Sequence, residues 1–250
     1  MADTMQGKII EHLEPVSAGI SVADVRIGLG YTSVRLDNGN IGLAWTAHKD
    51  SGSCTHLNKA GTLAGMKAAE LLGMLASEGS ALARSLGLAT ANALVAGLPL
   101  PQLSREDTLD IIDIQAKDKV VMVGFFGPLI PKIKQTGCKF DIFELKTDRP
   151  GTISPDEGKE LLAECSVAII TATSIVTGTF DGLMAGLGNP RAVIMLGPSS
   201  IMYPPLFAGT PVTHIAGSRV RDAAAVERII SEGGGTMILK KYIDFETICL

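Results

Sequence analysis

The fold is decided by residues 119–129, which read Lys119-Val120-Val121-Met122-Val123-Gly124-Phe125-Phe126-Gly127-Pro128-Leu129. An apolar, β-branched run that stops at a glycine predicts a buried strand, and the second glycine with its proline predicts a tight turn into a helix. Pro128 suits the first helical position because its missing N–H would be unpaired there anyway. Gly127 lets the backbone approach a bound group, so the stretch is typical of a turn that holds phosphate or another ligand.

A second apolar run, residues 140–145, carries Glu144 twenty residues after Gly124. This is the distance at which dinucleotide-binding folds place an acid for a ribose hydroxyl. The turn nevertheless lacks the G-x-G-x-x-G pattern, because Phe125 and Phe126 fill the space that bare backbone would offer to a pyrophosphate. We therefore expect a different flat or anionic small ligand ahead of a nicotinamide or flavin dinucleotide.

Composition and charge argue against several classes of protein. Four cysteines without a C-x-x-C pair favour a reducing cytoplasm and argue against a zinc ribbon. The chain shows neither the apolar segment of a signal peptide nor a run long enough to span a bilayer. A net charge of −4 without a Lys/Arg cluster argues against nucleic acid as the main partner. We expect a cytoplasmic protein with a small-molecule ligand and, from the general frequency of dimers, a homodimer.

Residues 1–101 are predicted to form an α+β domain. Three alternating segments predict antiparallel strands, namely residues 22–30, 31–36 and 41–46. Asp37-Asn38-Gly39-Asn40 has the chemistry of a hairpin turn. Two amphipathic helical stretches follow, the second interrupted at Gly87, and should cover this meander. Leu98-Pro99-Leu100-Pro101 is the candidate linker.

Residues 102–250 are predicted to form a three-layer α/β/α domain. From Lys119 onward, apolar strands alternate with helices, which is typical of a mainly parallel sheet with helices on both faces. Residues 237–239 are expected to add an edge strand. His214 lies in a predicted strand and is interpreted as a hydrogen-bonded core histidine.

Glycine and hydroxyl residues follow the predicted parallel strands. Because ligands of such sheets bind outside the carboxyl ends of the strands, these residues should converge, and their N–H and hydroxyl groups suit a carboxylate or phosphate. One of the two consecutive phenylalanines should face the core while the other stacks on a planar heterocycle. The candidate cofactor-binding residues are Gly124, Phe125, Phe126, Gly127, Thr173, Ser174, Thr177, Gly197 and Ser199. The same strand-end pattern includes Asp148, Thr171, Pro198, Ser200, Gly217 and Ser218.

Glu144 and Asn92 are the candidate catalytic residues. Glu144 ends a predicted strand, where it either faces solvent or contacts a ligand. Asn92 is an amide on an otherwise apolar helix, so it must be hydrogen-bonded to an adjacent loop or to a bound molecule. A metal alternative rests on Cys54, His56 and His48 in one polar loop, but a site needs three or four converging ligands and no second cluster has ligand spacing. The sequence therefore does not identify which residues would bind a metal.

Several motifs together resemble one known family. They are Tyr31-Thr32-Ser33-Val34, Ile41-Gly42-Leu43-Ala44, Ala89-Thr90-Ala91-Asn92-Ala93-Leu94, Met122-Val123-Gly124-Phe125-Phe126-Gly127-Pro128-Leu129 and Leu196-Gly197-Pro198-Ser199. They resemble the heavy-metal chelation family, long carried as a domain of unknown function, and the resemblance covers almost the whole chain.

This resemblance implies a first domain similar to the enolase N-terminal domain, a Rossmann-like second domain and a site where they meet. It implies that Asn92 lies near Gly124, Phe125 and Glu144. It also implies a heavy metal or a metal-chelating heterocycle as the bound group. Enolase activity does not follow, because the metal-binding carboxylates of enolases belong to a barrel domain that this chain lacks.

Three functions remain as hypotheses from the sequence. The first is a cytoplasmic protein that binds a small anionic or heteroaromatic molecule between two domains, including a metal chelator or its complex. The second is an enzyme on such a molecule with Glu144 as general acid or base. The third is a nucleotide-dependent oxidoreductase.

Overall fold

The computed structural model describes residues 4–47, 57–99, 103–144, 151–153 and 155–250. A three-stranded antiparallel sheet is followed by a six-stranded, mainly parallel sheet, which confirms the expected mixed α/β fold class. The strands are β1 Val22–Ile27, β2 Tyr31–Leu36, β3 Ile41–Trp45, β4 Lys119–Val123, β5 Lys139–Phe143, β6 Val167–Thr171, β7 Ala192–Leu196, β8 His214–Val220 and β9 Ile243–Cys249. The helices are α1 Met5–Leu13, α2 Ala68–Gly73, α3 Ala81–Val95, α4 Thr108–Ile112, α5 Ile130–Gln135, α6 Pro155–Glu164, α7 Thr173–Thr177, α8 Phe180–Ala185, α9 Ala223–Ser231 and α10 Thr236–Leu239. Among these described helices, none combines the length and apolar character that crossing a membrane requires.

The Asn38-Gly39 turn joins β2 to β3, as the sequence predicts. Gly39 has φ +89°, a left-handed conformation that glycine adopts without strain. The Leu36 N–H donates to the Asn40 carbonyl (2.8 Å) and closes the hairpin. Val34 then pairs with Gly42, so alternate residues of the two strands lie on opposite faces of the sheet.

Helix α3 covers one face of the antiparallel sheet at two close glycine contacts. A Cβ on Gly42 would overlap the Ala89 carbonyl oxygen and the Ala93 nitrogen, so any side chain there would push α3 off the sheet. Gly87, which was expected to interrupt the helical pattern, lies within a continuous α3. Its missing Cβ lets the backbone of Leu75 pack against the helix, which offsets the ~1 kcal/mol that an interior helical glycine costs.

The other face of the antiparallel sheet packs against the second half of the chain. A buried cluster joins β2 and β3 to α9 and α10, and it contains Tyr31, Ile41, Leu43, Val226, Ile230 and Leu239. A larger hydrophobic cluster also takes side chains from both halves. The division into residues 1–101 and 102–250 stays a prediction, because the two halves share their cores.

The six-stranded sheet runs in the order β5-β4-β6-β7-β8-β9, with β9 antiparallel to β8. Numbered from its own first strand, this is 2-1-3-4-5-6, the flavodoxin-like order rather than the 3-2-1-4-5-6 order of the Rossmann fold. The order reverses between β4 and β6. Ligands of such sheets bind in the crevice outside the carboxyl ends of the strands at this switch point. A ligand-binding site is therefore expected at the residues that follow β4 and β6.

Two predicted elements differ from the structure. Helix α5 begins at Ile130, so Pro128 lies in the preceding turn, where the Leu129 N–H donates to the Phe126 carbonyl (2.9 Å). Residues 237–239 belong to α10, and the edge strand is β9. A short apolar run cannot be assigned to strand or helix from its periodicity alone, and this explains the second error.

The amino edge of the parallel sheet holds an ion pair between a buried carboxylate and an exposed guanidinium. The carboxylate of Asp118, 3% exposed, lies 2.6 Å from Nη2 of Arg191. The Ser166 hydroxyl and the Gln115 N–H also donate to this carboxylate, both at 2.8 Å. The Arg191 guanidinium holds the pKa of Asp118 well below its usual range. Both carboxylate oxygens thus have partners, as expected of a structural ion pair.

Candidate functional site

The loops after β4, β6 and β7 meet at the carboxyl edge of the parallel sheet. The sheet hydrogen bonding continues one residue past the strands. The Gly124 N–H donates to the Phe143 carbonyl (2.9 Å), and the Ala172 N–H donates to the Leu196 carbonyl (2.9 Å). The Gly197 N–H continues the pairing to β8 (3.0 Å). The residues that follow these strands therefore lie side by side at one edge.

Two glycines with positive φ form the backbone of this edge. Gly124, with φ +94°, lies so close to β6 that a Cβ would be 3.0 Å from the Cβ of Thr171. Gly197, with φ +123°, leaves a Cβ position 3.7 Å from Cε1 of Phe126. Side chains at either position would be strained, and at Gly124 a Cβ would also crowd the gap between β4 and β6. Glycine at both positions thus allows this backbone conformation and the close packing of the turn against its neighbours.

The two phenylalanines of the β4 turn have different surroundings. Phe126 is half-buried and packs on the apolar cluster beneath the sheet. Phe125 is 39% exposed, and Gly127 leaves room for its ring, since a Cβ there would be 3.4 Å from the Phe125 ring. One aromatic ring therefore supports the sheet while the other presents apolar surface at the edge.

Hydroxyl groups line the loop after β6. Thr171 and Thr173 share a hydrogen bond between their Oγ1 atoms (3.0 Å), and the Thr177 hydroxyl donates to the Ser174 carbonyl (3.3 Å). Ser174 is 1% exposed, and its Oγ has no hydrogen-bond partner in the described chain. A buried hydroxyl without a partner carries an uncompensated desolvation cost, so this atom is poised to accept or donate to a further group.

The first half of the chain holds helix α7 at this edge. Nε of Arg84, on α3, donates to the Val176 carbonyl (2.5 Å), and Nε2 of Gln6, on α1, donates to the Ile175 carbonyl (2.7 Å). These bonds fix the loop that carries Thr173 and Ser174 against the antiparallel domain. The carboxyl edge therefore lies where the two halves of the chain meet.

Glu144 directly follows β5, next to the Gly124 turn, and is half-buried. Its neighbour Phe143 supplies the carbonyl that Gly124 binds, so the carboxylate belongs to the same edge of the sheet. Asp148 lies outside the described residues.

Asn92 and Ser199 tie the loop after β7 to the antiparallel domain. Nδ2 of Asn92 donates to the carbonyls of Leu43 (2.7 Å) and Ser199 (3.2 Å). The Ser199 hydroxyl, in a residue only 2% exposed, accepts from the Trp45 N–H (2.7 Å). The amide thus has its required partners in an adjacent loop, which was one of the two expected explanations.

The structure does not gather Asn92 with the other candidates in one cavity. Asn92 lines a cavity of about 170 Å³ together with Pro198 and Ser200, and the lining of this cavity includes neither Gly124 nor Glu144. The loop of residues 197–200 stands between the two places, since Gly197 faces Phe126 at the carboxyl edge. The candidates therefore fall into two groups on either side of this loop.

The described residues do not form a metal site. In the described ranges no three His, Cys, Asp or Glu side chains converge as ligands. Burial raises the pKa of the Cys165 thiol to about 11, so this sulfur stays protonated at neutral pH and binds metal poorly. His214 accepts or donates a bond with Thr213 (2.7 Å), and burial lowers its pKa. His48, Cys54 and His56 lie outside the described residues.

Sequence reasoning missed an ion-pair network on β8 and β9. Arg219 binds Glu246 through Nε (3.2 Å) and Nη2 (2.7 Å to each carboxylate oxygen), and Glu246 is 2% exposed. A signal was present: Arg219 and Arg221 alternate along one strand, and Asp244 and Glu246 alternate along its antiparallel partner. Opposite charges at period two on neighbouring strands form cross-strand pairs.

Two family models match this chain. DUF364, described as "Putative heavy-metal chelation", matches residues 107–249, and DUF4213, with the same description, matches residues 10–95. An uncharacterized protein of Methanocaldococcus jannaschii is 25% identical over 130 residues, which are 50% of this chain and 50% of that protein. The chain thus spans about half the length of this curated relative.

Two solved structures share the fold. A DUF364 protein of unknown function from Pyrococcus horikoshii has a TM-score of 0.87 at 20% identity and covers 99% of this chain and 100% of its own. A DUF364 protein of unknown function from Desulfitobacterium hafniense has a TM-score of 0.76 at 21% identity, with 97% and 98% covered. At these identities the likeness shows the fold alone.

Proposed function

Because the chain belongs to the DUF364 family, whose description names heavy-metal chelation, we propose that it binds a small metal chelator or its metal complex in the cytoplasm. The binding site proposed is the carboxyl edge of the parallel sheet, at the switch point between β4 and β6. One observation carries the proposal: the backbone turns at Gly124, with φ +94°, directly after β4 at this switch point, and the next residue, Phe125, leaves 39% of its surface exposed. Flat or anionic ligands bind at such points in open α/β sheets.

The chemistry of this edge suits a flat organic ligand with polar substituents. Phe125 offers an aromatic face for stacking, which is worth about 1 kcal/mol beyond the apolar area buried. The hydroxyls of Thr171 and Thr173 supply donors and acceptors in the loop after β6, and the buried Ser174 hydroxyl of the same loop has no hydrogen-bond partner among the described residues. The glycine backbone allows close approach of the ligand to the sheet edge.

Any metal would be cargo that is held mainly by the organic molecule. The described residues supply no cluster of three ligand side chains, so they fit a preformed complex better than a bare ion. His48, Cys54 and His56 remain candidates for additional ligands, and their substitution belongs in the test. We also propose that the first half is related to the enolase N-terminal domain, that the second half is Rossmann-like, and that the protein forms a homodimer.

An enzymatic version is the second candidate. The observation that favours it is the half-buried Glu144 beside the Gly124 turn, a position from which a carboxylate could exchange a proton with a ligand at the switch point. A substrate that turns over, with a pH profile changed by Glu144→Gln, would separate catalysis from binding. The nucleotide-dependent oxidoreductase is supported by the twenty-residue spacing from Gly124 to Glu144, but the turn lacks the G-x-G-x-x-G pattern.

Native mass spectrometry and elemental analysis of freshly purified protein test the proposal first. We expect an organic mass or a metal complex bound at a stoichiometric level, and the same spectra report the subunit count. Thermal shifts then compare metal ions alone, flat nitrogen heterocycles, their metal complexes, and NAD(H) or NADP(H). A ligand at a hundred times its Kd adds about 2.7 kcal/mol and should raise Tm by several degrees.

The outcomes separate the candidates. Stabilisation by a heterocycle or its complex, reduced in Phe125→Ala and Glu144→Ala, supports the proposed site. Stabilisation by a metal ion alone, lost in Cys54→Ala or His56→Ala, would replace it with a protein-held metal. Stabilisation by a nicotinamide nucleotide alone would favour the oxidoreductase.

A further inference from the structure

The cavity of about 170 Å³ on the other side of the loop of residues 197–200 has no role in the proposed function. It lies between the β2–β3 hairpin, helix α3 and strands β8 and β9. Its volume is close to the roughly 150 Å³ of a cavity that holds a benzene-sized molecule. A nucleotide or large heterocycle is therefore too big for it, and a small metabolite fits.

The buried hydroxyl of Ser200 is the first observation that indicates a ligand in this cavity. It lines the cavity, is only 2% exposed, and its Oγ has no hydrogen-bond partner in the described chain. A buried hydroxyl is normally satisfied by protein or water, and leaving it unsatisfied costs free energy. The Oγ has almost no accessible surface in the observed rotamer, so a polar group of a ligand in the cavity would supply the missing bond once the Ser200 side chain turns toward it.

Arg219 adds a charged donor to the same cavity. Its Nε and Nη2 are committed to Glu246, whereas Nη1 makes no hydrogen bond among the described residues. Glu246 also lines the cavity, but its charge is compensated by Arg219 and by Arg105, whose Nη2 lies 3.5 Å away. With Arg221 and Asp244 included, three guanidinium groups face two carboxylates, so an excess positive charge remains. A planar guanidinium with free N–H groups favours a carboxylate ligand.

Asn92 adds an acceptor of fixed orientation. Both of its hydrogen bonds run from Nδ2 to carbonyl oxygens, so the amide cannot be flipped without breaking them. Its Oδ1 is left as an acceptor in the cavity wall. A ligand that meets this oxygen must carry a donor, such as a hydroxyl or amino group. The remaining walls, which include Val95 and Met202, are apolar.

We propose that this cavity is a second binding site, for a small carboxylate that bears a hydroxyl or amino group on the neighbouring carbon. The carboxylate would accept from Nη1 of Arg219 and the hydroxyl of Ser200, and the neighbouring group would donate to Oδ1 of Asn92. This site goes beyond the proposed function. The sequence grouped Asn92 and Ser200 with the strand-end residues, but in the structure both line this cavity, whose lining includes neither Gly124 nor Glu144.

L-lactate is a suitable probe, with L-lactamide and propionate as matched compounds that lack the charge and the hydroxyl respectively. Titrations followed by ligand-observed NMR should show binding of lactate to the full-length protein, with lactamide and propionate at least about tenfold weaker. That factor corresponds to the loss of one hydrogen bond. No binding of lactate would overturn the proposal, equal binding of lactamide would overturn the carboxylate assignment, and equal binding of propionate would overturn the role of Asn92.

Ser200→Ala and Ser33→Ala form a matched pair for the site. Both serines are buried, at 2% and 1% exposed, and neither hydroxyl has a partner among the residues that the structure describes, but Ser33 does not line the cavity. We expect both variants to fold at least as well as the parent, and Ser200→Ala alone to weaken lactate binding about tenfold. Arg219→Lys should also weaken it, because lysine lacks the planar fork. Parental binding by Ser200→Ala, or equal weakening in Ser33→Ala, would overturn the site.

Discussion

At the amino edge of the parallel sheet, Asp118 receives hydrogen bonds from Arg191, Ser166 and Gln115, so every part of a buried carboxylate is satisfied. At the carboxyl edge of the same sheet, the Ser174 hydroxyl is buried without a partner and the Phe125 ring is 39% exposed. The same strands make both edges. At the amino edge the buried carboxylate has all its hydrogen-bond partners, whereas at the carboxyl edge the Ser174 hydroxyl has none among the described residues.

This difference separates stability from binding along one sheet. A satisfied ion pair holds the strand starts in place and needs nothing further from solvent or ligand. A buried hydroxyl without a hydrogen-bond partner at the strand ends lowers the free energy of unfolding, and a bound molecule that supplies the partner raises it again. Substitutions at the amino edge should therefore change the free energy of unfolding and spare binding, while those at the carboxyl edge should do the reverse.

The largest effect is expected from Asp118→Ala. Removing the carboxylate deletes its hydrogen bonds from Arg191, Ser166 and the Gln115 N–H and should lower the free energy of unfolding by about 3 kcal/mol. Chemical denaturation of the parent and the variant measures this. Glu164→Gln, which breaks an exposed pair with Lys119, is the control and should leave the unfolding midpoint almost unchanged. Equal losses in the two variants would mean that the amino edge has no special role.

The same carboxylate predicts a pH dependence. Because the pKa of Asp118 is lowered in the folded protein, its contribution to stability is present above the unfolded-state value of about 3.9 and is lost as pH falls through the folded-state value. Between pH 5 and pH 3 the parent should therefore lose more stability than Asp118→Asn. Urea titrations across this range measure the difference, and parallel curves would contradict the assignment.

Gly124→Ala tests the carboxyl edge with an intermediate effect. Strain at φ +94° and a Cβ 3.0 Å from Thr171 should cost about 2 kcal/mol and close the crevice to ligand. Gly209→Ala is the control, since Gly209 also has positive φ, +79°, but has no atom within 4 Å of its Cβ position. Both should lose stability by strain, and Gly124→Ala alone should lose the thermal response to ligand.

Phe125→Ala should have a smaller effect that falls mainly on binding. The exposed ring contributes little to the core, but its loss removes about 1 kcal/mol of stacking, or a several-fold increase in Kd for a flat ligand. Phe245→Ala, at a ring 48% exposed on β9, is the matched control and should leave Kd unchanged. A titration of both variants with the ligand found by mass spectrometry decides between stacking and a purely structural role.

The smallest effect is expected from Ser174→Ala. Removing a buried hydroxyl without a partner should raise the free energy of unfolding by up to about 1 kcal/mol in the ligand-free protein. The same change should reduce the additional stability that ligand provides. A variant that is destabilised without ligand would show that the hydroxyl already has a structural partner.

The sequence predicted those parts of the fold that depend on local patterns. The Asn38-Gly39 hairpin and the alternation of strands and helices from Lys119 onward are short-range signals with a direct physical cause. The predictions that α5 starts at Pro128 and that residues 237–239 form an edge strand were wrong. A few apolar residues fit either a helix or a strand until their packing is known.

The candidate sites were harder to predict for a different reason. The contacts of Asn92 with Leu43 and Ser199 join residues far apart in the sequence, and no periodicity reports such contacts. The same is true of the pairing of Arg219 with Glu246, although the alternating charges on the two strands were visible. The ends of β4, β6 and β7 were identified correctly as positions along the chain, whereas Gly217 and Ser218, which were expected to follow a strand, lie within β8. Which strand ends share a cavity depends on how the two halves pack together.

The loop of residues 197–200 lies between the two proposed sites, with Gly197 near Phe126 at the carboxyl edge and Ser200 in the lining of the cavity of about 170 Å³. A molecule that shifts this loop from one side must change the shape offered to a molecule on the other side. By thermodynamic reciprocity, each would then alter the affinity of the other by the same factor. A single four-residue segment, anchored by Asn92 and Trp45, thus makes the two sites candidates for allosteric coupling over a very short path.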